Sequence, residues 1–163
     1  MTTVSPPDAS PEPSGWAYAL HLPHDPRAPR VARMTLRTAL MGHGLSGLLD
    51  TAELLACELV TNAFRHSDGP ASMRVRCMER DRVRVGVWDT NPVIPAPFDR
   101  QPGTLRTIPT QVPVDADSGR GLFLIQAWAD RWGGYLLRNE LSSSSGKLLW
   151  FELGTVPTLT TAA

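Results

Sequence analysis

The chain has few cysteines and no long apolar run, and both absences narrow its class. Its 163 residues include only two cysteines, Cys57 and Cys77, whose separation fits neither a CxxC pair nor a zinc site. We expect two buried free thiols in a reducing, cytoplasmic compartment. No apolar stretch approaches the roughly 18 residues that span a bilayer. Residues 1–14 also lack the basic start and apolar segment of a secretory signal, so no membrane association is expected.

A surplus of charge of either sign is also missing. The 16 Lys+Arg residues balance 16 Asp+Glu residues, which gives a formal net charge of zero. Domains that bind nucleic acid directly normally carry a positive surplus, so we do not expect a nucleic-acid partner. Some arginines do alternate with apolar residues along two predicted strands, a pattern typical of a solvated face or a protein interface. They are Arg74, Arg76, Arg82 and Arg84.

The hydrophobic periodicity predicts one domain over residues 15–154, between a disordered, proline-rich tail over 1–14 and a short C-terminal tail over 155–163. Alternation predicts strands over 16–22, 71–78, 82–89, 135–138 and 147–153. Apolar spacings of three and four predict helices over 25–41, 48–66 and 121–131. Because most strand neighbours are hairpins, we expect an α+β, two-layer sandwich whose mixed, mostly antiparallel sheet has helices on one face.

Two local signals set the ends of these predicted helices. Asp25 is a candidate N-cap for the first helix, with Pro26 at the first helical position. Gly133 and Gly134 are expected to stop the third helix, whose apolar stripe extends to Trp132.

The second predicted helix carries three polar residues at strict spacings of four, namely Glu58, Asn62 and His66. Because four residues advance a helix by about one turn, these side chains share one edge, beside the apolar stripe that includes Leu55 and Leu59. A glutamate can accept a proton, and the amide oxygen of an asparagine is a hard ligand suited to Mg²⁺. The row therefore predicts the rim of a pocket, with an ordinary solvated helix face as the alternative.

Three further segments carry weaker signals. Asp89 ends a valine-rich strand, where its carboxylate can accept a hydrogen bond from a purine amine or merely close an Asx-turn into the following loop. Residues 91–118 are rich in proline and aperiodic, which is typical of a lid or binding loop. The run Gly119-Arg120-Gly121-Leu122 precedes a helix, so its backbone N–H groups can approach an anion, although an ordinary helix entry has the same pattern.

Taken in this order, residues 58–67, Asp89, residues 119–122 and the strand over 146–153 resemble one family. It is the anti-sigma-factor serine/threonine kinase branch of the GHKL ATPases, which have the Bergerat fold. The resemblance implies an ATP site between helices and sheet, Mg²⁺ as cofactor, and residues 91–118 as the ATP lid.

The resemblance also implies roles for single residues. Glu58 would be the base that polarises the attacking hydroxyl, and Asn62 would bind Mg²⁺. His66 would lie near the phosphates, while Asp89, with Asn91 beside it, would contact the adenine amine. The phosphates would be bound by the run Gly119, Arg120, Gly121 and Leu122.

The sequence departs from the family pattern at two places. With these departures, the sequence supports nucleotide binding better than it supports efficient catalysis. Thr90, Asn91 and Pro92 follow Asp89 where fuller family members have a glycine, and the 91–118 segment has no lysine. The resemblance implies a kinase that phosphorylates Ser or Thr of an anti-anti-sigma factor, with a sigma factor as the protein released. The alternative is a catalytically weak, nucleotide-dependent binding module that sequesters a transcription regulator.

Two other possibilities follow from the same residues. A histidine-kinase catalytic fragment is less favoured, because His66 lies inside the nucleotide motif and is a poor phosphoacceptor candidate. An open sheet face and an edge strand make a homodimer possible.

Overall fold

One five-stranded sheet organises the described part of the chain, which comprises residues 15–99, 120–138 and 145–155 of a computed structural model. The strands are β1 (Ala17–Leu22), β2 (Ala71–Met78), β3 (Arg82–Asp89), β4 (Arg131–Arg138) and β5 (Ser145–Gly154). The helices of these residues are α1 (Ala28–Gly42), α2 (Leu49–His66) and α3 (Arg120–Trp128). The strand order is β1-β2-β3-β5-β4, and each pairing between these strands is antiparallel. The predicted α+β sandwich is therefore confirmed, whereas the tails over 1–14 and 156–163 lie outside the described residues.

The core lies between the helices and the inward face of the sheet. The predicted α2 stripe is buried: Leu55 is 0% and Leu59 is 1% exposed, and Val85 on β3 is 0% exposed. Burying one such side chain contributes about 1.5–3 kcal/mol relative to leaving it in water. This packing fixes the rotation of α2, and with it the direction in which its polar edge points.

The prediction that the third helix extends to residue 131 and stops at a glycine pair is wrong. Helix α3 ends at Trp128, and Gly133 and Gly134 lie inside β4. A Cβ atom at Gly133 would lie 2.8 Å from the Trp150 ring, and one at Gly134 would lie 2.8 Å from Leu149 Cδ2. The two glycines therefore make room for large side chains of β5.

The start of α1 also differs from the prediction. The N-cap is Arg27 rather than Asp25, and the proline in the first turn is Pro29 rather than Pro26. Asp25 instead closes a turn before the helix, where its Oδ1 accepts the Arg27 backbone N–H at 2.8 Å. Hydrogen bonds from the Arg27 side chain and backbone hold the pKa of the Asp25 carboxyl well below its usual range.

The outward face of the sheet carries the predicted arginines, and two of them, Arg82 and Arg84, pair with Glu152. Arg84 lies over the Trp150 ring at 4.2 Å and binds Glu152. Glu152 is 2% exposed, and Arg82 and Arg131 approach the same carboxylate at 3.6 and 3.9 Å. This face is therefore a partly ordered ionic surface rather than a set of free side chains.

The two cysteines are free, as expected, but they are half-buried rather than buried. Cys57 lies on a flank of α2 and Cys77 near the end of β2, away from the centre of the core. Burial and the nearby Asp81 raise the pKa of the Cys77 thiol. Separately, none of the helices in the described ranges has the length and hydrophobicity that crossing a bilayer requires.

Candidate functional site

The polar edge of α2 opens onto a small pocket. Glu58, Asn62 and His66 all line it, as their spacing predicts. Gly121 and Leu122, at the start of α3, form the opposite wall. The structure thus brings together five of the predicted site residues, and the pocket is bounded by the N-terminus of one helix and the side of another.

Asn62 is the most informative residue of this pocket. Its side chain is buried, at 7% exposure, and its Oδ1 atom has no hydrogen-bond partner among the described residues. Trp132 Nε1 is also a buried atom without such a partner, but Trp132 is not part of this pocket's lining. Leaving a buried acceptor unpaired costs about 1–3 kcal/mol, so the Asn62 oxygen is placed for a donor or a cation from outside these residues.

Glu58 and Gly121 meet across the pocket at very short range. A Cβ atom at Gly121 would collide with the Glu58 carboxylate, so a side chain at this position would displace the acid. Since α3 begins at Arg120, the positive end of its dipole lies at this wall. Such a helix start favours an anion in the pocket.

Asp89 belongs to a different environment from the α2 pocket. It is 2% exposed and faces Lys147, which is 1% exposed and pairs with it across β3 and β5. Lys147 Nζ lies 2.9 Å from both Asp89 oxygens, and Asp89 Oδ1 also accepts the Asn91 backbone N–H at 2.8 Å. The carboxylate therefore enters the gap between sheet and helices, and it also closes the Asx-turn that was the alternative.

Asn91 connects the two environments. Its Nδ2 donates to the His66 backbone oxygen at 2.6 Å, which ties the loop after β3 to the C-terminal end of α2. Its own Oδ1 accepts the Val93 N–H at 3.0 Å. Asn91 thus has a structural role in holding this loop, and neither Asn91 nor Asp89 lines the α2 pocket.

A comparison with known protein families identifies the domain to which these elements belong. A profile of the histidine kinase-like ATPase domain matches residues 22–146, which is most of the chain. The chain belongs to this family. Domains of this family bind ATP, generally with Mg²⁺. A comparison with curated protein sequences gives no significant match.

The pocket of this histidine kinase-like ATPase domain fits Mg²⁺ and phosphate better than a transition metal. Mg²⁺ takes oxygen ligands and usually keeps several waters, so one buried amide oxygen beside a carboxylate is a suitable donor set. Within the described residues there is no group of three or more His, Cys, Asp and Glu side chains that could hold a metal by themselves. The orphaned Asn62 oxygen is the observation that supports this fit.

Some predicted phosphate-binding residues lie outside the described part of the ATPase domain. Gly119 and most of the proposed lid, residues 100–118, are among them. Arg120 is the first residue of α3.

Sequence reasoning missed Lys147, the buried partner of Asp89. A usable signal was present, because alternation along β5 places Lys147 on the same face as the buried Leu149 and Phe151. A lysine on an inward face needs a carboxylate partner, and the antiparallel register puts Asp89 opposite it. Two pocket residues, Thr61 and Arg65, were also missed because their spacing does not continue the i, i+4 row.

Proposed function

We propose that this protein binds Mg²⁺–ATP in the α2 pocket and transfers the γ-phosphoryl group to a serine or threonine of a partner protein. The observation that supports the proposal most strongly is that Asn62 lines a pocket bordered by a helix N-terminus and has a buried oxygen without a partner in the described ranges. A cation and an anion together satisfy both features, and a magnesium–triphosphate supplies both.

The residues of the pocket divide the work between binding and proton transfer. Asn62 would hold Mg²⁺, which supplies charge neutralisation for the phosphates. The start of α3, at Gly121 and Leu122, would bind phosphate oxygens through backbone N–H groups, and His66 would lie at the rim beside them. Glu58 would accept the proton of the attacking hydroxyl. Phosphoryl transfer depends mainly on positioning and electrostatics, so this small set of groups is sufficient.

The partner follows from the resemblance to anti-sigma-factor kinases. In this proposal the phosphorylated protein is an anti-anti-sigma factor, and a sigma factor is the protein that is bound and released. Both partners place the protein in the cytoplasm. A homodimer fits as well, because β1 lies at one edge of the described sheet and offers an edge for pairing.

A second candidate function is a nucleotide-dependent binding module that sequesters a regulator without phosphorylating it. The observation that favours it is the absence of lysine from residues 91–118, a departure from the family pattern that is more compatible with nucleotide binding than with efficient catalysis. Both functions need Asn62, but only the kinase needs Glu58.

The two functions are separated by Glu58→Gln, with Glu53→Gln as the matched control. Glu53 lies on the same helix but binds Arg37 at 2.6 Å and does not line the pocket. For the kinase, Glu58→Gln lowers phosphoryl transfer to a purified anti-anti-sigma factor by at least about a hundredfold, because a general base contributes that much. ATP affinity changes little, and Glu53→Gln behaves as wild type.

Two other results have equally clear meanings. If wild type binds ATP but transfers no phosphate to a partner that it binds, the module is supported and the kinase is wrong. If Glu58→Gln transfers phosphate as fast as wild type, Glu58 is not the base.

A further inference from the structure

The outward face of the sheet is a second surface, with a chemistry different from that of the α2 pocket. The core and the helices lie on the other face, so the sheet itself separates this surface from the pocket. The outward positions of the strands carry five arginines and one acid. The arginines are Arg74, Arg76, Arg82, Arg84 and Arg131, and the acid is Glu152. Because the whole chain has a net charge of zero, positive charge is concentrated on this face.

The positive charge without a partner lies on β2. The register places Arg76 opposite Arg84, and Arg84 pairs with Glu152 on its other side. Arg74 and Arg76 form no ion pair with any residue that the structure describes. Like charges directly opposite each other on a sheet face are destabilising. A carboxylate from outside the described residues would therefore be favourable beside Arg76.

The other side of this face, towards β4, is apolar and aromatic. Tyr135 is 47% and Leu137 is 41% exposed on β4. Leu148 and Trp88 lie in the same row as Tyr135 across the sheet, and both are half-buried. Arginine and aromatic residues are enriched in protein–protein interfaces, whereas lysine and acidic residues are depleted there. The composition of this face is therefore typical of a protein interface.

The same observations disfavour two other occupants. The ring of Trp150 is covered by the Arg84 guanidinium at 4.2 Å, and Trp150 is 9% exposed, so it is not free to stack with the bases of a nucleic acid. A second copy of this face would bring another surplus of positive charge, and interfaces pair opposite potentials. An acidic protein supplies the missing sign.

We propose that the outward face of the sheet binds an acidic segment of another protein, whose carboxylates contact Arg74 and Arg76 and whose apolar side chains pack on Tyr135 and Leu137. Three strand spacings separate β2 from β4, which is about 14 Å, or about four residues of an extended segment. This surface does not depend on the proposed nucleotide site, so the partner binds with or without Mg²⁺–ATP.

The test measures the fluorescence anisotropy of a labelled synthetic peptide that is titrated with the full-length protein in the absence of nucleotide. The peptide has two glutamates and, about four residues further on, a leucine and a phenylalanine. A second peptide has lysines in place of the glutamates. The proposal predicts that the glutamate peptide binds at least about tenfold more tightly than the lysine peptide.

Charge reversal shows whether this face is the surface that binds. Arg74→Glu/Arg76→Glu should weaken binding of the glutamate peptide by at least about tenfold, and Tyr135→Ala should weaken it by a similar factor. Arg30→Glu/Arg33→Glu is the matched control, because both arginines are exposed on α1 and form no ion pair within the described ranges. This control should bind as wild type. If the reversed variant does not fold, Arg74→Gln/Arg76→Gln provides the same comparison.

Several outcomes overturn the inference. They are equal binding of the two peptides, no binding of either, and a reversed variant that binds as tightly as wild type. A single-stranded oligonucleotide that binds more tightly than the glutamate peptide, and loses affinity when Arg74 and Arg76 are reversed, makes the face a nucleic-acid surface instead. A dimer that dissociates in the same variant, measured by sedimentation, assigns the face to a second copy. A wild type that binds no ATP overturns the proposed function and leaves this inference standing.

Discussion

The α2 pocket and the pair of Asp89 with Lys147 at the strand ends differ in how their buried polar groups are paired. At the α2 end, Asn62 buries an oxygen that has no partner within the part of the chain that the structure describes, beside a pocket. At the strand end, Asp89 buries a full charge and pairs it completely with Lys147. An unpaired buried acceptor lowers the stability of the protein, whereas pairing a buried charge avoids the larger cost of leaving that charge unpaired. The Asn62 oxygen therefore lacks a partner within the described residues, whereas the pair at the strand ends is complete within the protein.

This difference reflects the elements that carry the residues. Asn62 lies on a long helix, beside the apolar stripe that is packed into the core, so this packing fixes the side of the helix on which Asn62 lies. Asp89 and Lys147 lie opposite each other at the ends of two neighbouring strands, where the register of the sheet brings them together. The packing of α2 fixes the position of Asn62, whereas the register of β3 with β5 brings Asp89 and Lys147 together.

The largest effect is expected from breaking the strand-end pair. Lys147→Met should lower the free energy of unfolding by about 3–5 kcal/mol, because it leaves the buried Asp89 carboxylate without its cation. Arg131→Met should lower it by less than about 1 kcal/mol, since Arg131 is exposed and lies 3.9 Å from Glu152. Urea denaturation of both variants measures the difference.

Equal losses of stability in these two variants would mean that the Asp89–Lys147 pair is not the tight, buried contact described above. The double variant Asp89→Asn/Lys147→Met is a useful addition. It removes both charges, so it should recover part of the stability lost in Lys147→Met.

A smaller effect is expected at the pocket wall. Gly121→Ala places a methyl group where the Glu58 carboxylate lies, so the acid must move away from the start of α3. The affinity for Mg²⁺–ATP should fall by about tenfold or more, while the fold loses only about 1–3 kcal/mol from overpacking. Gly42→Ala, which meets no atom within 4 Å, is the control. Calorimetric titration of both variants gives the comparison, and equal affinities would place the phosphate site elsewhere.

The helix that carries Asn62 and the strand that carries Asp89 could be predicted from the sequence. The apolar stripe of α2 and the alternation of β2 and β3 are clear sequence signals because each element buries one face. Strands β2 and β3 begin and end at the predicted residues. The row of polar residues at i, i+4 spacing on α2 lines the pocket, as the sequence predicts.

Other parts could not be predicted because the decisive contacts are distant in sequence. The pair Gly133 and Gly134 predicts the end of a helix when only the local sequence is considered. Their role in the structure depends on the bulky Trp150 and Leu149 of the next strand, which lie against them. The partner of Asp89 is 58 positions away along the chain, at Lys147, and it follows only from the register of β3 with β5. Local patterns alone do not contain either contact.

The most direct test of the account is the Mg²⁺ dependence of ATP binding by wild type and Asn62→Ala, measured by calorimetry together with stability in the absence of nucleotide. Asn62→Ala should remain folded, with little loss of stability, because it removes an oxygen that no described residue binds. Mg²⁺ should raise the affinity of wild type for ATP by about tenfold or more, and Asn62→Ala should lose that gain. A wild type that binds no ATP, or an Asn62→Ala variant that keeps the full Mg²⁺ effect, would contradict the account.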